Sequence, residues 1–309
     1  MRGPEGPAVV LPSRSTLRNW AEYLAARAVL ASLAWTPRPA AEVLARAYAR
    51  LLDWCVPRLR RIALRNLALA MPATAAAERR RIVAGVFGSI ARLLVTFARL
   101  PRLDKENISE LICYDGLEYF REGLRRGRGV LFAAAHLGNW ELSAFAHGLM
   151  SGPMDIVVRP LDNPLLDRLV ERRRELSGNR IIRKKDAARA ILKALRANRA
   201  VGILIDQNAA PEEGVFIDFF GLKACAGAAF ARLAARSGAT VIPGFALWSQ
   251  LERRYVLRFY PPVEISGDTA ADTQRLHQLL EAVIRQYPDQ WLWIHRRWKT
   301  RPPGEPSLY

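Results

Sequence analysis

The sequence predicts an α/β fold, a three-layer sandwich with a mostly parallel central sheet and an added N-terminal helical segment that associates with a membrane. Three observations predict it. Apolar runs at 130–135, 156–158 and 200–205 have no polar alternation, so each reads as a strand buried on both faces. Amphipathic stretches separate these runs, the alternation that a parallel sheet with crossover helices requires. Before residue 106 the periodicity is helical throughout.

The elements follow in chain order. Residues 1–15 are rich in Pro and Gly, contain no signal-peptide core, and read as a disordered tail. The segment 17–35 carries Arg18, Glu22 and Arg27. Its uncharged part is shorter than the roughly 20 residues a membrane span needs. Trp20, Tyr23 and Trp35 mixed with Arg suit a helix lying in an interface. In 41–70, Leu44, Ala47, Leu51 and Trp54 form one apolar stripe, broken by Pro57. Arg58, Arg60, Arg61 and Arg65 then form a basic face suited to phospholipid headgroups. A helix over 78–100 places Ile82, Val86, Ile90, Leu93 and Phe97 on one side, and Pro101 ends it. These helices make up a region 16–105.

An α/β core is expected over 106–300, integrated with that region, with 301–309 as a tail. A short strand at 112–114 and a helix from Leu117 precede the run at 130. The run at 156 ends in Arg159, and a helix over 165–176 carries Arg172, Arg173 and Arg174, most of it expected to face solvent. A brief strand at 181–182 leads to a helix capped by Asp186. The run at 200 ends in Asp206, Gln207 and Asn208. Residues 214–221 read as an aromatic turn and 224–238 as an Ala-rich helix. Strands at 240–248 and 254–260, the second a candidate for antiparallel pairing, and an amphipathic helix over 271–287 complete the core.

Composition narrows the partners. Lys and Arg number 47 against 29 Asp and Glu, a net charge of +18. Such an excess points to an anionic membrane, nucleic acid or acidic protein. Motifs with aromatics interleaved for nucleic acid are absent, so nucleic acid is not expected. Cys55, Cys113 and Cys225 are scattered without metal spacing and fit a reducing compartment.

The chemistry concentrates at His136-Leu-Gly138-Asn139-Trp-Glu141, where a buried strand ends and a helix begins. Ligands of open α/β sheets bind at such strand ends. His136 and Glu141 lie about 140° apart on a continuous helix, so they cooperate only if His136 sits in the turn before it. Gly138 and Asn139 suit that turn and its cap. An imidazole steadied by a carboxylate is a base. No G-x-S-x-G elbow is present, which favours direct transfer over an acyl-enzyme.

His-Leu-Gly-Asn-Trp-Glu resembles the signature of the bacterial lipid A biosynthesis (lauroyl/myristoyl) acyltransferases, a branch of the lysophospholipid acyltransferase superfamily with its His-x4-Asp/Glu motif. Further blocks resemble the family in order: Arg65-Asn66-Leu67 with Pro72, Arg159-Pro160 with Asp162-Asn163-Pro164, Asp206-Gln207, Phe219-Phe220-Gly221, and Trp293-x-His295-x-Arg297-Trp298-Lys299. After Phe-Phe-Gly the family continues into Pro and Thr, where this chain has Leu222 to Cys225.

The resemblance implies transfer of a fatty acyl chain from acyl carrier protein, or acyl-CoA, to a hydroxyl of a lipid A precursor or related glycolipid. The place implied is the cytoplasmic face of the inner membrane, peripheral or monotopic. In this reading His136 is the general base and Glu141 orients it. Arg159 binds a phosphate of acceptor or donor or, with the backbone amides after His136, stabilises the oxyanion; Asp206 and Gln207 hold the His136 loop or bind acceptor hydroxyls, and Asn139 binds substrate. Phe216, Phe219 and Phe220 are candidates for an acyl channel. No metal or organic cofactor is required. Acylation of another membrane lipid, and a non-catalytic basic protein binding membrane or nucleic acid, remain as alternatives.

Overall fold

In a computed structural model, the structure describes residues 15–184 and 187–309. The N-terminal tail before Ser15 and the Asp186 cap lie outside the described residues. Four helices open the chain: α1 (Thr16–Trp35), α2 (Arg38–Cys55), α3 (Pro57–Ala70) and α4 (Ala76–Arg99). The breaks fall where the sequence forces them. Pro39 and Pro57 occupy first-turn positions of α2 and α3, where a missing N–H costs nothing. α4 packs against α1, α2 and α3, burying Val83, Val86, Phe87 and Ala91.

The core alternates as expected: β1 (Ile112–Asp115), α5 (Leu117–Arg125), β2 (Val130–Ala134), α6 (Trp140–Met150), β3 (Asp155–Val158), α7 (Pro164–Glu175), β4 (Arg180–Arg183), α8 (Ala187–Arg196) and β5 (Ala200–Leu204). It continues with β6 (Gly214–Phe219), β7 (Leu222–Gly227), α9 (Ala229–Ser237), β8 (Thr240–Ser249), β9 (Arg254–Phe259) and α10 (Thr269–Gln286).

Seven strands form one sheet in the order β1-β9-β8-β2-β5-β3-β4. The five from β8 to β4 are mutually parallel, while β9 is antiparallel to β8 and carries β1 with it. β2 lies at the centre and buries both faces, as its uniform apolarity required. Leu131 and Ala133 face a core with residues of α8 and α9, and Val130 and Phe132 face another with residues of α5 and α6. The sheet is thus the middle of three layers.

Two expectations are corrected. Residues 214–227 form an antiparallel hairpin, β6 and β7, and the helix begins only at Ala229. Residues 301–309 are packed: the Tyr309 hydroxyl donates to Asn66 Oδ1 at 2.5 Å and accepts from the Trp298 amide at 3.2 Å. Among the described residues, one helix, Ala76–Arg102, which contains α4, is long and apolar enough to cross a membrane, and half of its most apolar stretch is buried inside the protein; α1 is not, in line with its charges.

Candidate active site

The carboxyl ends of β2 and β5 are adjacent because the two strands pair in register, Ala134 beside Leu204. His136 and Asp206 therefore leave the sheet side by side, although 70 residues separate them. The His136 amide donates to Asp206 Oδ2 at 3.0 Å, and Nδ1 lies 2.9 Å from Oδ1. A carboxylate accepts only, so Nδ1 carries the proton and Nε2 keeps its lone pair. The Trp291 indole donates to Oδ2 at 2.9 Å, fixing the acid from behind. Asp206 is buried, while the imidazole keeps 15% of its surface. Trp140 packs edge-on against the ring, 5.0 Å between centroids.

The local sequence makes this turn. Gly138 has φ +66°, and a Cβ there would lie 1.9 Å from the Ala246 carbonyl oxygen, so no other residue fits. Asn139 is fully buried and caps α6, its Oδ1 accepting from Leu142 N at 3.0 Å. Its position suits holding the turn rather than touching substrate. The Gly138 and Asn139 amides donate to the carbonyls of Gln290 and Ala246. Those two amides are thus committed, as is that of Leu142 to the Asn139 cap, and the first-turn donors of α6 that no such bond takes up are the amides of Trp140 and Glu141.

Glu141 does not hold the imidazole. Its carboxylate accepts from Arg174 Nε at 2.9 Å and Nη2 at 2.6 Å, a two-pronged pair inside the site wall. Asp206 occupies the orienting place expected of Glu141. Spacing along the chain shows only local neighbours, so it offered the acid five residues on for the ring and left Asp206 to hold the His136 loop or bind acceptor hydroxyls. Arg174 and Trp291 went unrecognised for the same reason. Arg172 faces solvent, but Arg173 donates to the carbonyls of Phe97 and Ala98 at the end of α4, so most of that run is engaged.

The electrostatics single out one histidine of four. Burial alone lowers His147 to about 3, and burial dominates in lowering His277 to about 4 and in lowering His295. Burial also opposes the charged form of His136, yet the charge and hydrogen bond of Asp206, with Glu141 adding, raise it above the ordinary imidazole value. Asp206 moves the opposite way, held below the usual carboxylate range against its burial. His295 accepts from the Asn208 amide at 3.1 Å.

The other expected residues spread along the same edge. Arg159 directly follows β3, is exposed, and has no ion-pair partner among the described residues. β5 intervenes, so it stands two strands from His136, roughly 10 Å at the usual strand spacing. Gln207 is exposed beside Asp206. Phe219 and Phe220 are buried against Trp291, Trp293 and Trp298, forming a wall behind the Asp206 partner, and Phe216 is half-buried.

Residues 10–300 match the family model described as bacterial lipid A biosynthesis acyltransferase. The chain belongs to this family. It is similar to the lipid A biosynthesis lauroyltransferase of Escherichia coli, 31% identical over 82% of this chain and 83% of that one. The myristoyltransferase of the same bacterium is 26% identical over 94% and 91% of the two chains. The palmitoleoyltransferase is 29% identical over 80% and 81%. The protein is therefore an acyltransferase, which removes the non-catalytic alternative. Two of the family-like blocks meet in space: the Asn66 amide group donates to the Trp293 and His295 carbonyls at 2.6 and 2.7 Å.

Proposed function

We propose that this acyltransferase moves a fatty acyl chain from acyl carrier protein, or from acyl-CoA, to a hydroxyl of a lipid A precursor or related glycolipid. Names of the relatives support the acceptor class. The observation that carries the mechanism is the Asp206–His136 pair, with Nδ1 held and the ring open to solvent on one side.

Attack is direct. His136 Nε2 takes the proton of the acceptor hydroxyl as its oxygen bonds to the thioester carbonyl carbon. Asp206 steadies the imidazolium. The tetrahedral oxyanion is met by the first-turn amides of α6 and by Arg159. Collapse breaks the C–S bond, and the proton on Nε2 passes to the leaving thiolate. Glu141 acts at one remove, fixing Arg174 and adding negative field to the ring. Gln207, exposed beside Asp206, is placed to contact acceptor hydroxyls.

The enzyme works as a peripheral or monotopic protein at the cytoplasmic face of the bacterial inner membrane. Support comes from α1 and α2, which leave Leu17, Trp20, Leu24, Trp35, Leu51 and Trp54 exposed. Large apolar groups gathered on one region mark a binding surface.

The test is reconstitution. Purified protein, acyl carrier protein thioester and a lipid A precursor should yield a glycolipid heavier by one acyl group in mass spectrometry. Acylation of other membrane lipids with the lipid A precursor untouched would refute the acceptor assignment. A His136→Ala enzyme of undiminished rate would refute the base.

A further inference from the structure

One cavity of about 400 Å³ lies between α3 and residues 296–309. Arg58, Arg61 and Arg65 line it from one helix face, at the spacing i, i+3 and i+7. Arg296, Ser307, Leu308 and Tyr309 line it from the last part of the chain. No Asp or Glu side chain lines it. Arg60, on the same helix, shows what a satisfied neighbour looks like, since its Nε sits 2.9 Å from Asp53 Oδ1. Arg58 and Arg61 have no such acid among the described residues. Arg65 donates to the Leu308 carbonyl at 3.1 Å, and Arg296 lies over the Tyr309 ring at 5.6 Å with its Nε buried and unpartnered.

Four like charges around one hollow repel each other unless an anion enters. Guanidinium forks match the oxygens of a phosphate. Leu51, Leu52, Trp54 and Val56 are exposed in the residues just before α3, which begins one residue before Arg58. A ligand that satisfies both features is an amphiphile with an anionic head.

We propose that this cavity binds the phosphate of a membrane lipid, whose acyl chains lie along the exposed end of α2. The exposed Leu51, Leu52, Trp54 and Val56 just before Arg58 favour a lipid, whose acyl chains would cover them, over an acidic protein helix, which would meet the arginines alone. The bound phosphate bridges α3 to the segment carrying Trp291, the residue that fixes Asp206. The site is separate from the acyl-transfer residues, and its test reads binding alone.

Three probes separate the contributions: dihexanoyl phosphatidate, glycerol 3-phosphate and dihexanoylglycerol, each titrated calorimetrically into the full chain in neutral detergent. Phosphatidate should bind at least tenfold tighter than either other probe. Arg58→Gln with Arg61→Gln should weaken phosphatidate about 30-fold, equivalent to about 2 kcal/mol, and leave dihexanoylglycerol unchanged. Neither side chain has a hydrogen-bond or ion-pair partner among the described residues, so the double variant should unfold at the wild-type temperature. Arg61→Glu supplies a second variant with a larger loss. Undiminished phosphatidate binding in both variants overturns the site. Glycerol 3-phosphate binding as tightly as phosphatidate overturns the lipid assignment in favour of free phosphate. Loss of acyl carrier protein binding alone assigns the arginines to the protein partner and overturns it equally.

Discussion

The sheet rim and the N-terminal helices treat charge and grease in opposite ways. At the rim, the acids are paired and withdrawn, Asp206 with His136 and Trp291 and Glu141 with Arg174, and Arg159 is the exposed exception. In α1 and α2, Trp35 and Trp54 are each 80% exposed, while Arg58 and Arg61, at the start of α3, have no acid partner among the described residues. A buried pair fixes geometry, which proton transfer needs. An exposed aromatic beside a free cation gains only when something outside covers it. One region is complete in itself, and the other is a surface for a second phase.

That contrast can be broken by substitution. His136→Ala should lower the acyl-transfer rate 10²–10⁴-fold, the usual worth of a general base, with the unfolding midpoint little changed. A midpoint that falls with activity would make the ring structural. Glu141→Gln should act chiefly on stability. It strands a half-buried Arg174, and removing one partner of a fully buried pair costs about 3–5 kcal/mol. Partial exposure of both groups reduces this to about 2 kcal/mol by denaturant titration. If stability holds and only the rate falls, Glu141 belongs to the chemistry. Trp35→Ser with Trp54→Ser should weaken vesicle binding about tenfold, on the order of 1.4 kcal/mol, while sparing stability. Vesicle binding unchanged in that variant would remove α1 and α2 from the membrane surface.

Much of the fold was legible because burial on both faces leaves a direct mark: 130–135 and 200–205 can be little else than central strands. The hairpin of β6 and β7 was not, since Leu222 to Gly227 is built of small residues that also suit a helix. At the site, His136 and Asp206 were each visible as polar residues closing an apolar run. That Asp206 holds the His136 loop was an expectation; that it also orients the ring was not, because this depends on β2 and β5 lying side by side. The same holds for Arg174 and Trp291, brought in by α7 and by the chain after α10. The resemblance of 65–72 and 293–299 to family blocks marked both as important, but only the folded chain reveals that Asn66 joins them.

The central claim is that Asp206 charges the catalytic imidazole. It is tested most directly by the acid limb of the pH–rate profile in wild type and Asp206→Asn. The rate requires neutral His136, so activity rises as pH climbs through its pKa. Asp206 raises that pKa and burial lowers it. The wild-type limb should therefore lie above the ordinary imidazole value of about 6.5. In Asp206→Asn burial is left to act, and the limb should move to lower pH, further than in Glu141→Gln. A limb that stays in place in Asp206→Asn, or that moves further in Glu141→Gln, would contradict the account.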